Sequence, residues 1–334
     1  MTYPEATLID QQVKTANKIV IAQPDNPDGD SMGSAIALEQ ILMLQGKETE
    51  VVCGVNIPNY LSYLEGWDRV VKELPSKFDL MIIVDTSALN LVEHLTKQSG
   101  QLKRGSQPLV IIDHHRSEPT IDYAQLRLND PEAAATAEVL YYLTKQLKWE
   151  LNPLARDSLA AAILSDTLGL TTDSTRAETV FAIAELVREG VSLSRLENAR
   201  RDMTRKTPEL VHYKGELLQR IEYYDDDRIA LLSIPWPEIE HYSPLYNPSM
   251  LALEDMRLTT NTVVAVALKL YPDGKITGKI RTNYGYPIAA KLAEALGGGG
   301  HDYASGFKLT DTRDLEQLKN DIITHAKDLI NEIV

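Results

Sequence analysis

Residues 18–45 have the sequence KIVIAQPDNPDGDSMGSAIALEQILMLQ. The opening apolar run, KIVIA, predicts a buried β-strand. From Ser31 to Gln45 the apolar residues recur at helical spacing, and Ser31 is a favourable N-cap. A strand that leads through a short turn into a helix is the repeating unit of α/β folds, so this segment predicts a parallel sheet flanked by helices.

The same alternation continues along the first half of the chain. Three further strands are predicted by the runs EVVCG, FDLMIIVD and PLVIIDH. Helices are predicted over residues 133–147, 154–168 and 176–189. We therefore predict that residues 1–190 form an α/β domain with a parallel sheet.

A second domain is predicted after a charged connector, residues 191–220, which we interpret as a helical linker. Beyond it, DRIALLSIP, NTVVAVALKLY and KITGKIRTN predict antiparallel strands, and residues 272–274 predict a turn between the last two. A helix over residues 287–296, which ends in four glycines, and a final helix over residues 315–333 complete the pattern. The second domain, residues 221–334, is therefore predicted to be a smaller α/β domain with a mixed or antiparallel sheet.

Composition limits the location and the partners of this protein. The chain has 334 residues, a formal net charge of −14 and one cysteine, Cys53. A single cysteine forms no internal disulfide, so we expect a cytoplasmic protein. The acidic balance argues against binding of long nucleic acid. The N-terminal residues lack a signal-peptide pattern. No apolar run reaches about 18 residues, so we expect no membrane segment. A homodimer is one option for the oligomeric state.

Carboxylates and histidines lie at the ends of several predicted apolar segments. In chain order these residues are Asp28, Asp30, Asp85, Asp113, His114, His115 and Asp166. The strand ends of a parallel sheet meet at one edge, where α/β proteins build their sites. Carboxylate oxygens mixed with imidazole suit Mn²⁺ or Mg²⁺ better than Zn²⁺. The set therefore predicts a two-metal site that cleaves phosphate esters.

Some of these residues also have a purely structural interpretation. Asp28 and Asp30 suit an Asx-turn with a helix N-cap, and Asp85 suits a cap for the next helix. An acid such as Asp166 inside an apolar helix is costly unless it is paired or bound to a metal. Two adjacent histidines preceded by an acid rarely arise from packing alone, so the groups taken together favour the metal site.

The motifs together resemble a known family. NPDGDSMGS, VDT, DHH and SDT occur in the order of the DHH phosphoesterase superfamily, and IRTN followed by IAAKLAEALGGGGHDYASGF resembles its associated C-terminal domain. The chain is similar in layout to compact bacterial members, which are nano-RNases, phosphatases of 3′,5′-bisphosphate nucleotides, and phosphodiesterases of cyclic-di-AMP or its linear product. The resemblance implies Mn²⁺-dependent hydrolysis of short oligonucleotides or dinucleotides, including 3′-5′ exonuclease action, by water that two metals activate.

The resemblance also implies a role for each matching metal ligand. Asp28 would bind the first of two Mn²⁺ ions, Asp30 would bind the second, and Asp85 would bridge both. His114 and Asp166 would complete the second site, with Mg²⁺ as the alternative ion.

Further roles that the resemblance implies concern catalysis and the substrate. His115 would face the scissile phosphate, and Asp113 would orient the histidine pair. The implied substrate-binding residues are Arg281, Gly298, Gly299, Gly300 and His301. Taken alone, the glycines also suit a flexible cap after a helix.

One position departs from the family pattern. Where members carry a histidine ligand of the first metal, four residues before the first aspartate, this chain has Pro24. An oxygen of Gln23, Asp25 or Asn26, or a water, would have to replace it, and Asp25 is a hard donor. There are two alternatives to the nucleotide-cleaving enzyme. One is an inorganic pyrophosphatase or polyphosphatase that uses the same metals on a different substrate. The other, which Pro24 suggests, is a nucleotide-binding protein with weakened catalysis.

Overall fold

The structure, a computed structural model, describes residues 1–98, 107–310 and 314–333. Contacts divide the chain into two compact units, Met1–Arg205 and Lys206–Val334. The predicted linker, residues 191–220, is helical on both sides of this division. Within the described ranges, no helix combines the length and the apolar character that crossing a bilayer requires.

The first unit contains the predicted parallel sheet. Its strands are β1 Lys18–Ala22, β2 Glu48–Val52, β3 Leu80–Val84, β4 Leu109–Asp113 and β5 Leu126–Asn129. They lie in the order β2-β1-β3-β4-β5, and every neighbouring pair is parallel. Every residue of β3 and β4 is buried, which explains why these strands read as continuous apolar runs. The sheet extends from β1 first to one side and then to the other, so a topological switch point lies between β1 and β3.

Helices surround this sheet. They are α1 Ala6–Thr15, α2 Gly29–Leu44, α3 Glu93–Gln98, α4 Thr136–Leu147, α5 Pro153–Asp166, α6 Ala177–Arg188 and α7 Leu193–Met203. One face of the sheet packs on a large apolar core shared with α1, α2, α4, α5 and α6. Alternate strand residues enter a smaller core that includes Val92 and Leu95 on the other face. The prediction of a parallel sheet flanked by helices is confirmed.

Two glycines allow α2 and α5 to approach each other closely. A Cβ atom at Gly33 would lie 2.7 Å from the Ser158 carbonyl oxygen and 2.8 Å from the Ala162 Cβ atom. A Cβ atom at Gly29 would overlap the Ser165 hydroxyl. The carboxyl end of α5 is therefore held against the turn that precedes α2, which only glycine permits at this separation.

The second unit contains a mixed sheet of six strands. They are β6 Glu222–Tyr224, β7 Ile229–Ile234, β8 Val264–Leu270, β9 Ile276–Thr282, β10 Gly299–His301 and β11 Ala304–Leu309. Their order is β10-β11-β9-β8-β7-β6. The helices of this unit are α8 Pro208–Gln219, α9 Trp236–Tyr242, α10 Pro248–Arg257, α11 Ala289–Ala295 and α12 Leu315–Asn331.

One strand pairing in this unit differs from the prediction. The segments DRIALLSIP and NTVVAVALKLY were predicted to be antiparallel, but β7 and β8 pair in parallel. The reason is that α9 and α10 lie between them and return the chain to the same end of the sheet, as a parallel crossover requires. The predicted hairpin of β8 and β9 is confirmed as antiparallel.

Candidate functional site

Four side chains of the first unit converge beyond the carboxyl ends of β1, β3 and β4. Asp30 lies in the first turn of α2, Asp85 follows β3, and His114 follows β4. Asp166 ends α5 instead of lying inside it, and its side chain is 26% exposed. The His114 Nε2 atom lies 3.8 Å from Asp30 Oδ2 and 3.6 Å from Asp85 Oδ1. It lies 3.4 Å from Asp166 Oδ2.

Asp30 is fully buried and has a second task in the fold. Its Oδ2 atom accepts a hydrogen bond of 2.6 Å from the backbone N–H of Thr136, the first residue of α4. Its Oδ1 atom accepts from the Ala137 N–H at 3.0 Å and from the Ser34 hydroxyl at 3.0 Å. A carboxylate in this position satisfies the free donors at the start of α4 and interacts favourably with the helix dipole.

Asp85 has an unusual backbone conformation. Its φ of 63° is in the left-handed region, which costs a non-glycine residue about 1–3 kcal/mol. The conformation is held by its N–H, which donates to the Ile112 carbonyl at 2.9 Å, and by the Thr136 hydroxyl, which donates to its Oδ1 atom at 2.9 Å. These bonds fix the buried Asp85 carboxylate next to His114.

The negative charges of the carboxylates in this cluster are disfavoured by burial and by mutual repulsion. Burial raises the pKa of Asp30. The charge of His114 opposes this shift, and the Asp28 carboxylate adds to it. Burial also raises the pKa of Asp85 well above its ordinary value, and the Asp30 and Asp28 carboxylates add to the shift. Burial and the same two carboxylates raise the pKa of Asp166 to about 8. A divalent cation would offset this repulsion, so the cluster fits a bound metal.

The positions of the donor atoms also fit a cation. Donor atoms of Asp30, His114 and Asp166 lie within 4.8 Å of one another, and so do those of Asp85, His114 and His115. Hard oxygens with one or two imidazoles per group are the donor set that Mn²⁺ accepts.

His114 is oriented for metal binding by the segment that precedes α4. Its Nδ1 atom lies 3.2 Å from the Ala133 carbonyl oxygen, so Nδ1 carries the proton and donates it there. The Nε2 atom faces the carboxylates and is the nitrogen that can coordinate a cation. A backbone carbonyl that fixes the tautomer in this way is a usual outer partner of a metal-bound histidine.

Asp113 and His115 form a separate pair beside the cluster. The buried Asp113 carboxylate lies 2.8 Å from His115 Nδ1 and accepts a hydrogen bond of 2.6 Å from the Ser87 hydroxyl. Burial alone would raise the pKa of Asp113, but the hydrogen bonds from His115 and Ser87 outweigh it and lower the pKa. The bond to Asp113 raises the pKa of the half-exposed His115, so its imidazolium form persists to higher pH.

Asp28 has the structural task that its position in a turn suggested. Its Oδ1 atom accepts from the N–H groups of Asp30 at 3.0 Å and Ser31 at 2.9 Å, which makes it the N-cap of α2. Its charge nevertheless contributes to the raised pKa values of Asp30, Asp85 and Asp166. Asp28 therefore lies within electrostatic reach of the cluster.

Pro24 and Asp25 lie in the loop between β1 and α2. The Cys53 thiol donates to the Pro24 carbonyl at 3.5 Å. Asp25 Oδ2 accepts from the His94 N–H at 3.1 Å and lies 3.0 Å from His94 Nδ1. Its Oδ1 atom is buried and has no hydrogen-bond partner among the described residues. Asp25 thus has one oxygen that accepts no hydrogen bond from the part of the chain that the structure describes.

The second unit brings its predicted residues together in a pocket of about 820 Å³. The residues predicted from the resemblance that line it are Arg281, Gly298, Gly299, Gly300 and His301. The glycine run has two structures: Gly297, with a φ of 75°, ends α11 as a helix cap, whereas Gly299 and Gly300 belong to β10. At Gly298 a Cβ atom would overlap the Gly306 carbonyl oxygen, so any larger residue would displace β11 from its position in the pocket wall.

The pocket is cationic to a degree that the motifs did not reveal. Lys269 and Lys279 also line it, and no salt bridge joins either lysine or Arg281 to a carboxylate of the described residues. Burial, and secondarily the neighbouring positive charge, lowers the pKa of Lys269, Lys279 and Arg281. The Glu254 carboxylate acts on Arg281 only as a longer-range charge, and cations without a salt-bridge partner beside exposed backbone fit a phosphate group.

Several supporting residues of the first unit were not found from the sequence. Thr136 bonds both Asp30 and Asp85, Ser87 bonds Asp113, and the Ala133 carbonyl orients His114. Ser87 follows the VDT motif by one residue, which was a local signal. Thr136 lies 106 residues from Asp30, so only the folded structure reveals this contact.

We expect Mn²⁺ to stabilise the protein more at about pH 7.5 than at about pH 5.5. Carboxylates whose pKa is raised on folding bind more protons in the folded state. Without metal, stability therefore falls as pH rises from the ordinary value of 3.8 through the pKa of about 8 for Asp166. A bound cation takes the place of those protons, so the stability of the folded protein no longer falls as pH rises.

Thermal unfolding with and without Mn²⁺ at both pH values measures this effect. The Asp68→Asn variant, altered at an exposed aspartate of the same unit, should behave as wild type. An equal Mn²⁺-induced shift of the unfolding midpoint at the two pH values would contradict the expectation.

Comparison with known proteins agrees with the resemblance. Residues 18–165 match the DHH family, N-terminal domain, and residues 249–332 match the DHHA1 domain. A bifunctional oligoribonuclease and PAP phosphatase NrnA of Thermus thermophilus is 27% identical over 302 residues, which are 90% of this chain and 86% of that protein. A cyclic-di-AMP phosphodiesterase GdpP of Bacillus subtilis is 26% identical over 334 residues, which are 93% of this chain and 48% of that protein.

A solved structure shows the same fold. The crystal structure of an exopolyphosphatase-related protein from Bacteroides fragilis superposes with a TM-score of 0.81 at 21% identity and covers 98% of this chain and 99% of that chain. The resemblance drawn from the motifs is confirmed by the two matched domains.

Proposed function

We propose, since this chain belongs to the DHH family and carries a DHHA1 domain, that it is a metal-dependent phosphoesterase of small nucleotides. Its substrates would be short oligonucleotides, cleaved as a 3′-5′ exonuclease, dinucleotides of the pApA type, or 3′,5′-bisphosphate nucleotides. The observation that carries the proposal is the convergence of His114 Nε2 on three carboxylates, at 3.4 to 3.8 Å. Two relatives in which about a quarter of the residues are identical are a bifunctional oligoribonuclease and PAP phosphatase and a cyclic-di-AMP phosphodiesterase.

The first unit would hold the cations. Asp30, Asp85, His114 and Asp166 are the ligands that the geometry supports best. Asp28 would join them through Oδ2, because Oδ1 accepts both of its capping bonds. Bound Mn²⁺ or Mg²⁺ supplies Lewis-acid stabilisation of phosphoryl charge and lowers the pKa of water. The raised pKa values of the three carboxylates mean that cation binding at these residues releases protons.

His115 and Asp113 would handle the proton of the leaving group. Asp113 occupies His115 Nδ1, so Nε2 is the nitrogen that remains for a substrate oxygen. The raised pKa of His115 favours the imidazolium, which is the form that can donate a proton. Loss of Asp113 should therefore release the His115 ring from its fixed orientation and also lower the pKa of His115.

The second unit would bind a phosphate of the substrate. We expect Arg281→Ala to raise KM for nucleotides by about 10- to 100-fold with little change in kcat, because a charge-assisted hydrogen bond contributes about 1.5–3 kcal/mol. The Lys291→Ala variant, which removes an exposed cation of α11 outside the pocket, is the matched control and should keep the wild-type KM. Steady-state kinetics on pApA, with metal content measured in parallel, decides the matter. Loss of metal from Arg281→Ala would show that the assignment of the two units is wrong.

A substrate panel tests the proposed function as a whole. It should contain pApA, RNAs of two to five nucleotides, adenosine 3′,5′-bisphosphate, cyclic-di-AMP and inorganic pyrophosphate, each with and without Mn²⁺. We expect Mn²⁺-dependent release of mononucleotide or phosphate from the nucleotides. Turnover of pyrophosphate alone would instead support the inorganic pyrophosphatase alternative, and nucleotide binding without any turnover would support the weakened site that Pro24 suggests.

A further inference from the structure

Two exposed tyrosines stand face to face in the second unit. The rings of Tyr284 and Tyr303 are nearly parallel, with an interplanar angle of 12° and centroids 6.5 Å apart. Tyr284 is 87% exposed and Tyr303 is 39% exposed. Neither ring is therefore held by a packed core, although exposing large aromatic groups to water is unfavourable.

Another tyrosine pair of the same unit shows what direct stacking looks like here. Tyr213 and Tyr242 lie with centroids 3.6 Å apart at an angle of 8°. If a third planar ring lay between two others at this spacing, the centroids of the two outer rings would be 7.2 Å apart. The Tyr284–Tyr303 centroid distance of 6.5 Å is 0.7 Å short of that value, so the two exposed rings must move apart by at least this much to admit a third ring.

The tyrosine pair stands at the end of the strands that form the cationic pocket. Arg281 of β9 is paired with Ala304 of β11, the residue after Tyr303. The Thr282 N–H donates to the Tyr303 carbonyl at 3.1 Å, and Tyr284 follows Thr282 by two residues. Neither tyrosine lines the pocket itself, but Tyr303 lies in the chain between His301 and Ala304, which do line it.

We propose that Tyr284 and Tyr303 clamp the base of the nucleotide whose phosphate lies in the Arg281 pocket. A base has a flat aromatic face of the kind that stacks between tyrosines, and it is joined to the phosphate through one ribose. The clamp recognises the presence of a base more than its identity, because every base has a π-face. This inference rests on the proposed function for its class of ligand, and it adds the residues that distinguish nucleotides from other phosphates.

Calorimetric binding of AMP and of ribose 5-phosphate to the full chain tests the clamp without requiring catalysis. AMP should bind wild type about tenfold or more tightly than ribose 5-phosphate, which lacks the base. Tyr284→Ala and Tyr303→Ala should each weaken AMP binding by about 5- to 20-fold and leave ribose 5-phosphate unchanged. Tyr284→Phe and Tyr303→Phe keep the ring and should bind AMP as wild type does.

A tyrosine at the opposite edge of the sheet supplies the control. Tyr223 lies on β6, is 38% exposed and is separated from β11 by three strands, so Tyr223→Ala should leave both affinities unchanged. Equal binding of AMP and ribose 5-phosphate by wild type would overturn the clamp, even if an alanine variant failed to fold. An equal loss of AMP affinity in the phenylalanine variants would also overturn it, because stacking does not need the hydroxyl.

The clamp and the proposed function fail in different ways. Nucleotide hydrolysis by a protein that does not discriminate AMP from ribose 5-phosphate would refute the clamp and leave the function standing. Tyrosine-dependent AMP binding by a protein that hydrolyses no nucleotide would support the clamp and refute the function.

Discussion

Replacing Asp85 by asparagine should abolish phosphoester hydrolysis while the protein stays folded. The change removes one negative charge next to His114, in the group of donor atoms that fits a cation. Loss of a ligand charge should cost about 4 kcal/mol of transition-state stabilisation, or about a thousandfold in kcat/KM. Asparagine keeps an oxygen that can accept the hydrogen bond from the Thr136 hydroxyl, so the local structure survives.

The stability of the Asp85→Asn variant provides a second test of the same prediction. Because burial and neighbouring carboxylates raise the pKa of Asp85, removing its charge should leave the free energy of unfolding of the metal-free protein equal or higher. Initial rates on pApA and urea unfolding measure the two effects, with Asp68→Asn as the control at an exposed position. Wild-type turnover by folded Asp85→Asn protein would remove Asp85 from the site.

Replacing Asp30 by alanine should cost both activity and stability, unlike the change at Asp85. The backbone N–H groups of Thr136 and Ala137 would lose their acceptor at the buried start of α4. A buried donor without a partner costs about 1–3 kcal/mol, and the relief of a buried charge offsets part of it, so we expect a loss of about 2–4 kcal/mol.

The matched variant is Asp30→Asn. Its side-chain oxygen can still accept from one backbone donor, so its loss of stability should be less than half that of Asp30→Ala, whereas both variants should lose hydrolysis. Urea unfolding in chelator separates stability from metal binding. If Asp30→Ala unfolded at the same urea concentration as wild type, the anchoring of α4 by Asp30 would be wrong.

The fold was largely predictable because its strands are long apolar runs. KIVIA, LMIIV and LVIID are buried along almost their whole length, and no other element type suits them between polar turns. The short strand β5, LRLN, lies at the edge of the sheet and carries a weak pattern, so it was not predicted. Helix α1 was also missed, although Ala6, Ile9 and Val13 are buried at helical spacing.

The residues of the carboxylate and histidine cluster were predictable from the sequence, but the residues that support them were not. Residues at the ends of parallel strands must meet at one edge, so the convergence of Asp30, Asp85 and His114 followed from the strand pattern. The supporting bonds of Thr136 depend on where α4 begins relative to a turn more than a hundred residues earlier. The cationic lysines of the second unit belong to ordinary strand patterns, GKIRT and ALKL, and only the pocket reveals them.

The most direct test is the rate of pApA hydrolysis by metal-depleted protein as Mn²⁺ is added back, with binding followed by calorimetry on the same sample. A carboxylate and histidine cluster that works through bound cations predicts no turnover in chelator and a rate that rises in step with Mn²⁺ occupancy. The same titration of Asp85→Asn should show weakened binding and no turnover. Full hydrolysis in excess chelator, or saturated Mn²⁺ binding at these residues with no hydrolysis of any nucleotide, would contradict the claim that this cluster is a metal-dependent phosphoesterase site.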